Sequence, residues 1–190
     1  MQQRARFEIW GENELIFVND GSTDASMNIL EVIAQQNKNV RVISFSRNFG
    51  HEAAMIAGID HAAGDVIICM DADLQHPLEC IAPIMAKFEE GYEVISMVRT
   101  SNKSAGAIKN FTSRAFYRVI NALSDQVKLE ENASDFFAIS SRVADVLRTH
   151  YREKTRFLRG YVQSVGFRKT TLEYTAAERA GGASQKKIKK

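Results

Sequence analysis

The sequence predicts an α/β domain whose mostly parallel sheet is flanked by helices. Segments rich in β-branched residues alternate along the N-terminal half with segments whose apolar residues recur every three or four positions. A strand that returns to the same sheet after a helix runs parallel to the strand before it, so this alternation favours parallel pairing. The length of 190 residues, 45% of them hydrophobic and 25% charged, fits one ordinary soluble domain.

The first strand and helix are separated by a polar turn. Residues 14–18 form a short apolar segment that ends at a cluster of turn-forming residues, and this segment is predicted as a strand. A helix is predicted after Asp24, because Met27, Leu30 and Ile33 recur at helical spacing. The chain therefore begins with a strand, a loop and a helix.

The same unit then repeats. Residues 40–45 and 65–70 are predicted as strands, the second because it is rich in β-branched residues, and 50–63 between them is predicted as a helix of small residues. The next helix is predicted at 78–90 and the next strand at 92–98. Each of these strands leads into a polar loop.

The C-terminal half is predicted to contribute a basic helix, two strands and two further helices. The helix at 107–123 has apolar residues three or four positions apart and basic residues between them. The other elements are predicted as strands at 136–139 and 167–174 and helices at 141–149 and 155–163.

We expect a folded domain over 1–174 and a flexible basic tail over 175–190. Residues 179–190 contain five basic and no acidic side chains, with two glycines among them. The whole chain has a formal charge of only +2, which argues against a nucleic-acid partner. No apolar segment approaches the roughly 18–20 residues that cross a bilayer, and two cysteines are too few for a disulfide framework, so a cytoplasmic location is expected.

Two of the polar loops carry groups suited to a phosphate-bearing ligand, since ligands of open α/β sheets bind at the carboxyl ends of the strands. In the first loop, 19–24, Asp20 is a hydrogen-bond acceptor for a base or ribose, and Gly21 allows close approach of the backbone. The alternative is a helix cap formed by Ser22 or Asp24. In the second loop, 46–51, Arg47 and a helix N-terminus suit an anion, although a surface ion pair is the alternative for Arg47.

The third loop, 71–77, is acidic and follows an apolar strand. The carboxylates of Asp71 and Asp73 are costly at the end of a buried strand unless a cation or a donor compensates them. Oxygen ligands from Asp73 and the Gln75 carbonyl, completed by diphosphate and water, suit Mg²⁺ or Mn²⁺. An EF-hand is excluded, because His76 stands where such a loop needs glycine.

Other catalytic signatures are absent from the sequence. It contains neither a dinucleotide-binding glycine motif nor a P-loop, a zinc-protease helix or a nucleophile elbow. The four histidines lack metal-ligand spacing, so each is predicted on a helix surface or at a helix cap, with His76 as the exception to watch because it lies in the acidic loop.

Four motifs in this order resemble family 2 glycosyltransferases, and the nearest branch is the polyprenyl-phosphate glycosyltransferases, similar to dolichol-phosphate mannose synthase and bactoprenol glucosyltransferases. The resemblance covers about residues 15–184. The motifs are Phe17-Val18-Asn19-Asp20-Gly21-Ser22-Thr23-Asp24, Ser46-Arg47-Asn48-Phe49-Gly50-His51, Asp71-Ala72-Asp73-Leu74-Gln75-His76-Pro77 and Arg156-Phe157-Leu158-Arg159-Gly160.

The resemblance implies a GT-A fold and an inverting, metal-dependent transfer from a nucleotide-sugar donor. By it, Asp73 and Gln75 would hold Mg²⁺ or Mn²⁺. The donor would contact Asp20, Ser22, Arg47, Asp71 and Arg99. The catalytic residues would be Asp71, Asp73 and Asp135. For Asp135, which would order the pocket, a simple turn carboxylate is the alternative.

The acceptor implied by the resemblance is a polyprenyl phosphate, such as undecaprenyl or dolichyl phosphate, at the inner face of the membrane. Its phosphate would face Arg114, Arg179, Ser184 and Lys186. The basic helix 107–123 and the tail would lie on anionic headgroups, and a plain solvated helix is the alternative. Self-association of the chain stays open.

The sequence departs from the family pattern at its start. Nothing upstream of Leu15 matches the family's first βα unit, and residues 1–13 resemble the end of the helix that follows it. A truncated, non-catalytic nucleotide-binding remnant is therefore the main alternative. A sugar nucleotidyltransferase and an NAD-binding protein are disfavoured, because the glycine-rich loops that they need are absent. The sugar and the base stay undetermined.

Overall fold

The computed structural model describes residues 12–100, 133–153 and 157–177. Six strands and five α-helices lie within these ranges. The strands are β1 (Leu15–Asn19), β2 (Val40–Ser44), β3 (Val66–Cys69), β4 (Val94–Arg99), β5 (Ala133–Ser140) and β6 (Lys169–Tyr174). The helices are α1 (Ser26–Gln36), α2 (His51–His61), α3 (Ile81–Glu89), α4 (Ser141–His150) and α5 (Leu158–Ser164). A short 3₁₀ turn, Leu78–Cys80, leads into α3.

The strands form a two-stranded sheet and a four-stranded sheet. Strands β1 and β2 pair in parallel, and the second sheet has the order β3-β5-β4-β6. Strand β5 runs antiparallel to both of its neighbours, whereas β4 and β6 are parallel. The predicted α/β class is therefore confirmed. The parallel pairing that the alternation of strands and helices favours is observed between β1 and β2. Strands β3 and β4 do not pair with each other, because β5 lies between them.

The central position of β5 follows from its composition. Phe136, Phe137, Ala138 and Ile139 are all at most 3% exposed. A strand that is apolar on both faces needs a covering layer on each side of the sheet. Phe137 and Ile139 accordingly pack with α2, α4 and α5, while Phe136 and Ala138 pack on the opposite face with Ile84 of α3.

Helix α2 is held at its C-terminal end by arginines. The guanidinium of Arg148 in α4 donates to the carbonyl oxygens of Ile59 at 2.5 Å and Ala62 at 2.7 Å, and Arg41 of β2 donates to that of His61. Cations stabilise the last turn of a helix because its terminal carbonyl groups have no partners within the helix. These contacts fix the helix in place, so its first residue, His51, has a defined position at the other end.

Several sequence predictions fall on residues outside the described ranges. These are the basic helix 107–123, most of the tail 175–190 and residues 1–11 of the segment 1–13. The predicted helix 155–163 is observed as α5, and the last strand is confirmed as β6. Among the helices of the described ranges, none is both long and apolar enough to cross a membrane.

Candidate active site

The acidic loop after β3 is anchored by His76. The backbone N–H of Asp71 donates to Nδ1 of this histidine at 2.9 Å, and Nε2 lies 4.0 Å from Oδ2 of Asp71. The imidazole is buried, stacked on Phe136 with ring centroids 4.7 Å apart and edge-on to Tyr174. Burial lowers the pKa of His76, against the opposing effect of the nearby carboxylates. A neutral ring that accepts at Nδ1 carries its proton on Nε2, which faces Asp71.

The rest of this loop turns tightly around Asp73. Its Oδ1 accepts the backbone N–H of Gln75 at 3.1 Å, and Leu74 between them adopts a positive φ of 61° with its side chain exposed. The carbonyl oxygen of Gln75 accepts the N–H of Ala177 at 3.2 Å. The loop is therefore tied to the segment that follows β6.

The antiparallel pairing of β3 and β5 brings a second carboxylate to the acidic loop. Cys69 lies opposite Phe137 in the register, so Asp135 lies where β5 passes the end of β3. His51 stands between the two acidic side chains. Its Nε2 is 3.6 Å from Oδ1 of Asp71 and 3.4 Å from Oδ2 of Asp135.

Arg159 of α5 completes this group. Its Nε and Nη2 atoms donate to Oδ1 of Asp135 at 3.1 and 2.5 Å. The hydrogen bond from His51, together with Arg159, lowers the pKa of Asp135 to about 2 against the effect of burial. The same hydrogen bond, helped by the charge of Asp71, raises the pKa of His51. Basic and acidic side chains thus alternate along a continuous series of contacts from Arg159 through Asp135 and His51 to Asp71, which is called the charged cluster below.

The loop after β1 is joined to the start of α2. The carboxylate of Asp20 accepts the backbone N–H groups of Phe49 at 2.7 Å and Gly50 at 2.9 Å. The buried Asn19 accepts the N–H of Ser22 at 3.1 Å, and Ser22 itself is exposed. The alternative of a helix cap formed by Ser22 or Asp24 is not observed, because the N-cap residue of α1 is Ala25. Asp24 instead accepts the N–H of Ser26 from one residue further upstream. These contacts set the two predicted nucleotide-binding loops side by side.

Two arginines are exposed at the ends of strands. Arg47 lies over the ring of Phe49, with Cζ 4.1 Å from the ring centroid, and Arg99 ends β4. The charge of Arg99 contributes to the lowered pKa of His76, which places it near the acidic loop. In the part of the chain that the structure describes, neither arginine forms an ion pair, so the surface ion pair considered for Arg47 is not observed there.

The oxygen donors of the acidic loop suit a metal shared with a phosphate ligand. No group of three or more His, Cys, Asp or Glu side chains in the described ranges could hold a metal by itself. Magnesium is usually bound by one or two carboxylates and by substrate phosphates. Asp73 offers carboxylate oxygens, one of which accepts the N–H of Gln75, and Gln75 offers its backbone carbonyl oxygen. These donors therefore fit Mg²⁺ or Mn²⁺ only with a ligand that supplies further oxygens.

Comparison with known proteins identifies the family. The model of the family described as Glycosyl transferase family 2 matches residues 3–148. The chain belongs to this family.

Relatives within family 2 share more than a third of their aligned residues with the chain. The uncharacterized glycosyltransferase YkcC of Bacillus subtilis is 41% identical over 177 residues, which cover 93% of this chain and 54% of that protein. The bactoprenol glucosyl transferase of Shigella phage SfV is 37% identical over 174 residues, covering 92% and 56%. The chain thus spans about half the length of the curated relatives that it matches.

Two solved structures share the fold. The mannosyltransferase PcManGT from Pyrobaculum calidifontis, in complex with GDP-Man and Mn²⁺, has a TM-score of 0.56 at 16% identity, over 88% of this chain and 48% of that one. S. aureus TarS 1-349 has a TM-score of 0.55 at 16% identity, over 86% and 50%. The family 2 chain therefore has the GT-A-like fold that the resemblance implied.

The structure places many of the predicted family 2 site residues in two neighbouring regions. Asp71 and Asp135 share a contact with His51, and Asp73 and Gln75 lie in the same acidic loop. Asp20 and Ser22 lie in the adjoining loop, which contacts residues 47–50. Asp135 is more than the turn carboxylate considered as its alternative, because it belongs to the charged cluster. The residues predicted to contact the acceptor lie outside the described ranges; they are Arg114, Arg179, Ser184 and Lys186.

Sequence reasoning missed two members of the charged cluster. For His51 the sequence predicts a surface or capping position; the side chain is exposed, and its ring also bridges two carboxylates. Arg159 received no role, although it holds Asp135. Both residues lie within motifs that carry the family 2 resemblance, and that location was the available signal. His76, the histidine that the sequence sets apart from the others, is buried and lies in the acidic loop.

Proposed function

We propose that this chain is the catalytic domain of a polyprenyl-phosphate glycosyltransferase. It transfers a sugar from a nucleotide-sugar donor to a polyprenyl phosphate, with inversion at the anomeric carbon and with Mg²⁺ or Mn²⁺. The observation that carries the proposal is the meeting of Asp71 and Asp135 at His51, beside the oxygen donors of the acidic loop. Relatives named bactoprenol glucosyl transferase support the choice of a lipid phosphate acceptor.

The donor half of the site is suited to a nucleoside diphosphate. Asp20 and Ser22 contact the nucleotide, with Asp71 at the ribose or diphosphate. Asp73 and Gln75 would hold the cation, whose positive charge would stabilise the developing charge of the diphosphate leaving group. Arg99, exposed near the acidic loop, and Arg47, exposed in the loop before α2, supply further positive charge to the phosphates.

The acceptor half requires positioning more than proton transfer. A lipid phosphate is already ionised at neutral pH, so it attacks the anomeric carbon without a strong general base. Asp135 fits this requirement, because a carboxyl group with a pKa of about 2 is a weak base at neutral pH. Held by Arg159 and His51, it orders the pocket.

The lipid and its phosphate meet basic residues beyond the described ranges. In this proposal the acceptor phosphate is contacted by four polar or basic residues: Arg114, Arg179, Ser184 and Lys186. The segment 107–123, predicted from the sequence as a helix, and the tail lie against anionic headgroups at the cytoplasmic face, where each basic residue contributes about 1 kcal/mol of binding free energy. The domain is then peripheral to the membrane through these segments.

Calorimetric titration tests the donor site. UDP, GDP and their hexose conjugates are titrated into the chain with and without Mn²⁺, and the same titrations are made with Asp73→Ala. We expect metal-dependent binding of one nucleotide, weakened at least about tenfold in Asp73→Ala because a ligand of the cation is lost.

Asp60→Ala is the matched control, because Asp60 lies near the far end of α2 and pairs with Arg152. It should bind as the unaltered chain does. Equal affinity in Asp73→Ala and the unaltered chain would remove Asp73 from the metal site. Binding without transfer of radiolabelled sugar to undecaprenyl or dolichyl phosphate would instead favour the non-catalytic alternative.

A further inference from the structure

His51 is the contact point of segments that are far apart in the sequence. It is the first residue of α2, and its ring reaches Asp71 after β3 and Asp135 in β5. The helix that carries it is fixed at both ends, by Asp20 on the N–H groups of Phe49 and Gly50 and by Arg148 at the last turn. The backbone of His51 therefore has little freedom to move away from the two carboxylates.

The two carboxylates differ in how much they depend on His51. Asp71 is also held by His76, which accepts its backbone N–H and faces its Oδ2 atom. Asp135 has Arg159 on Oδ1 and His51 on Oδ2. Without the imidazole of His51, Asp71 would keep its contact with His76. Oδ2 of Asp135 would lose its contact with His51, and the carboxylate could then rotate about the oxygen that Arg159 holds.

We propose that His51 is a positioning residue for the glycosyl transfer, holding Asp71 and Asp135 in a single relative orientation while Arg159 fixes the other oxygen of Asp135. This inference rests on the proposed function and adds to it a residue for which the sequence indicated only a surface role.

If His51 had a purely structural role, its substitution would lower the melting temperature of the protein. The side chain of His51 is 48% exposed, and Asp71 and Asp135 are also partly exposed, at 39% and 30%. Exposed ion pairs contribute little to folding stability because solvent screens them. A positioning role therefore affects the rate of transfer, while the melting temperature stays nearly unchanged.

The test compares His51→Ala, His51→Gln and the control His61→Ala. His61 lies on the same helix at its other end, where its Nδ1 contacts the carbonyl oxygen of Ala57. In His51→Ala we expect kcat to fall at least about tenfold while KM for the donor changes less than about threefold, because Asp71 keeps its contact with His76. His51→Gln provides an N–H donor near the position of Nε2 and should recover much of the lost kcat. His61→Ala should match the unaltered chain.

Two kinetic results would overturn the proposal. One is an unchanged kcat in His51→Ala. The other is an equal loss in His51→Ala and His51→Gln together with a lowered melting temperature in both, which would indicate a structural contact only.

An NMR titration of the His51 ring gives a readout that needs no activity. The carboxylates that face His51 are Asp135, Asp71 and Glu52. Asp135→Asn should lower the pKa of the ring, Asp71→Asn should lower it less, and the His61 ring should not respond to either change. A His51 pKa that ignores Asp135→Asn overturns the inference whatever the activity. If the unaltered chain transfers no sugar, the proposed function fails, and the titration alone then decides whether His51 is coupled to these carboxylates.

Discussion

Gly21 allows the loop after β1 to lie directly against the backbone of the loop after β2. Its φ is +67°, and a Cβ atom there would lie 2.3 Å from the carbonyl carbon of Arg47 and 2.6 Å from the backbone N of Asn48. Neither atom can move without shifting the loop that leads into α2. A glycine is therefore required at this position for two separate reasons, its backbone conformation and the lack of space.

We predict that Gly21→Ala destabilises the protein by more than about 2 kcal/mol, since it combines backbone strain with overlap. Urea denaturation measures the loss. The same substitution should weaken nucleotide binding, because it separates Asp20 from the N–H groups of Phe49 and Gly50.

Gly166 provides the matched control for this prediction. It has a φ of +85°, but an added Cβ would meet nothing within 4 Å. Gly166→Ala should therefore cost only about 1 kcal/mol, the price of the backbone conformation alone. Equal losses of stability in the two variants would show that the close approach of the loops after β1 and β2 does not contribute to the cost of Gly21→Ala.

Helix α2 shows how one element connects the core to the site. Its buried Ile56 and Ile59 pack in the core, its last carbonyl groups bind Arg148, and its first residue is His51. The helix therefore links the Arg148 contact at its C-terminal end to the contacts of His51 with Asp71 and Asp135 at its N-terminal end.

We predict that Arg148→Met destabilises the protein by about 1–3 kcal/mol, because partly buried carbonyl groups lose their donors. Arg152→Met is the control. Arg152 pairs with Asp60 near the same end of α2 and is 46% exposed, so its removal should cost less than about 1 kcal/mol. Urea denaturation of both variants gives the comparison, and a loss in Arg152→Met as large as that in Arg148→Met would contradict it.

The sequence predicted those elements whose pattern is local. The strands β1 to β4 and the helices between them follow from hydrophobic spacing and from the turn residues that bound them. The direction of β5 could not be read in this way, because the run from Phe136 to Ile139 has the same composition in either orientation. Its antiparallel insertion depends on which strands flank it.

The same distinction applies to the site. Asp71, Asp73 and Asp20 could be predicted because each follows a strand, where ligands of such sheets bind. His51 and Arg159 lie at or near the starts of helices, a common place for polar side chains. They join the charged cluster through Asp135, which both contact, and His51 also contacts Asp71. Contacts between distant segments leave no periodic signal in the sequence.

At the scale of the whole molecule, the two sheets differ in how well they are buried. Strand β4 has four consecutive buried residues, whereas β1 and β2 have one each, Asn19 and Val40. Within the described ranges β1 and β2 pair only with each other, and α2 contacts both β1 and β3. A two-stranded sheet has little stability of its own, so it depends on the helices α1 and α2 that pack against it.

We therefore predict that the amide hydrogens of β1 and β2 exchange at least about tenfold faster than those of β4 and β5, because the two-stranded sheet opens without global unfolding. Hydrogen exchange read by mass spectrometry or NMR measures the difference. Addition of Mn²⁺ with the nucleotide that binds should slow exchange in residues 19–22 and 46–50, the loops that Asp20 joins. Equal protection of both sheets would show that they unfold as one unit. Protection by the nucleotide that was confined to β4 and β5 would show that it binds away from these loops, because a ligand slows exchange most where its contacts must break before the amides open.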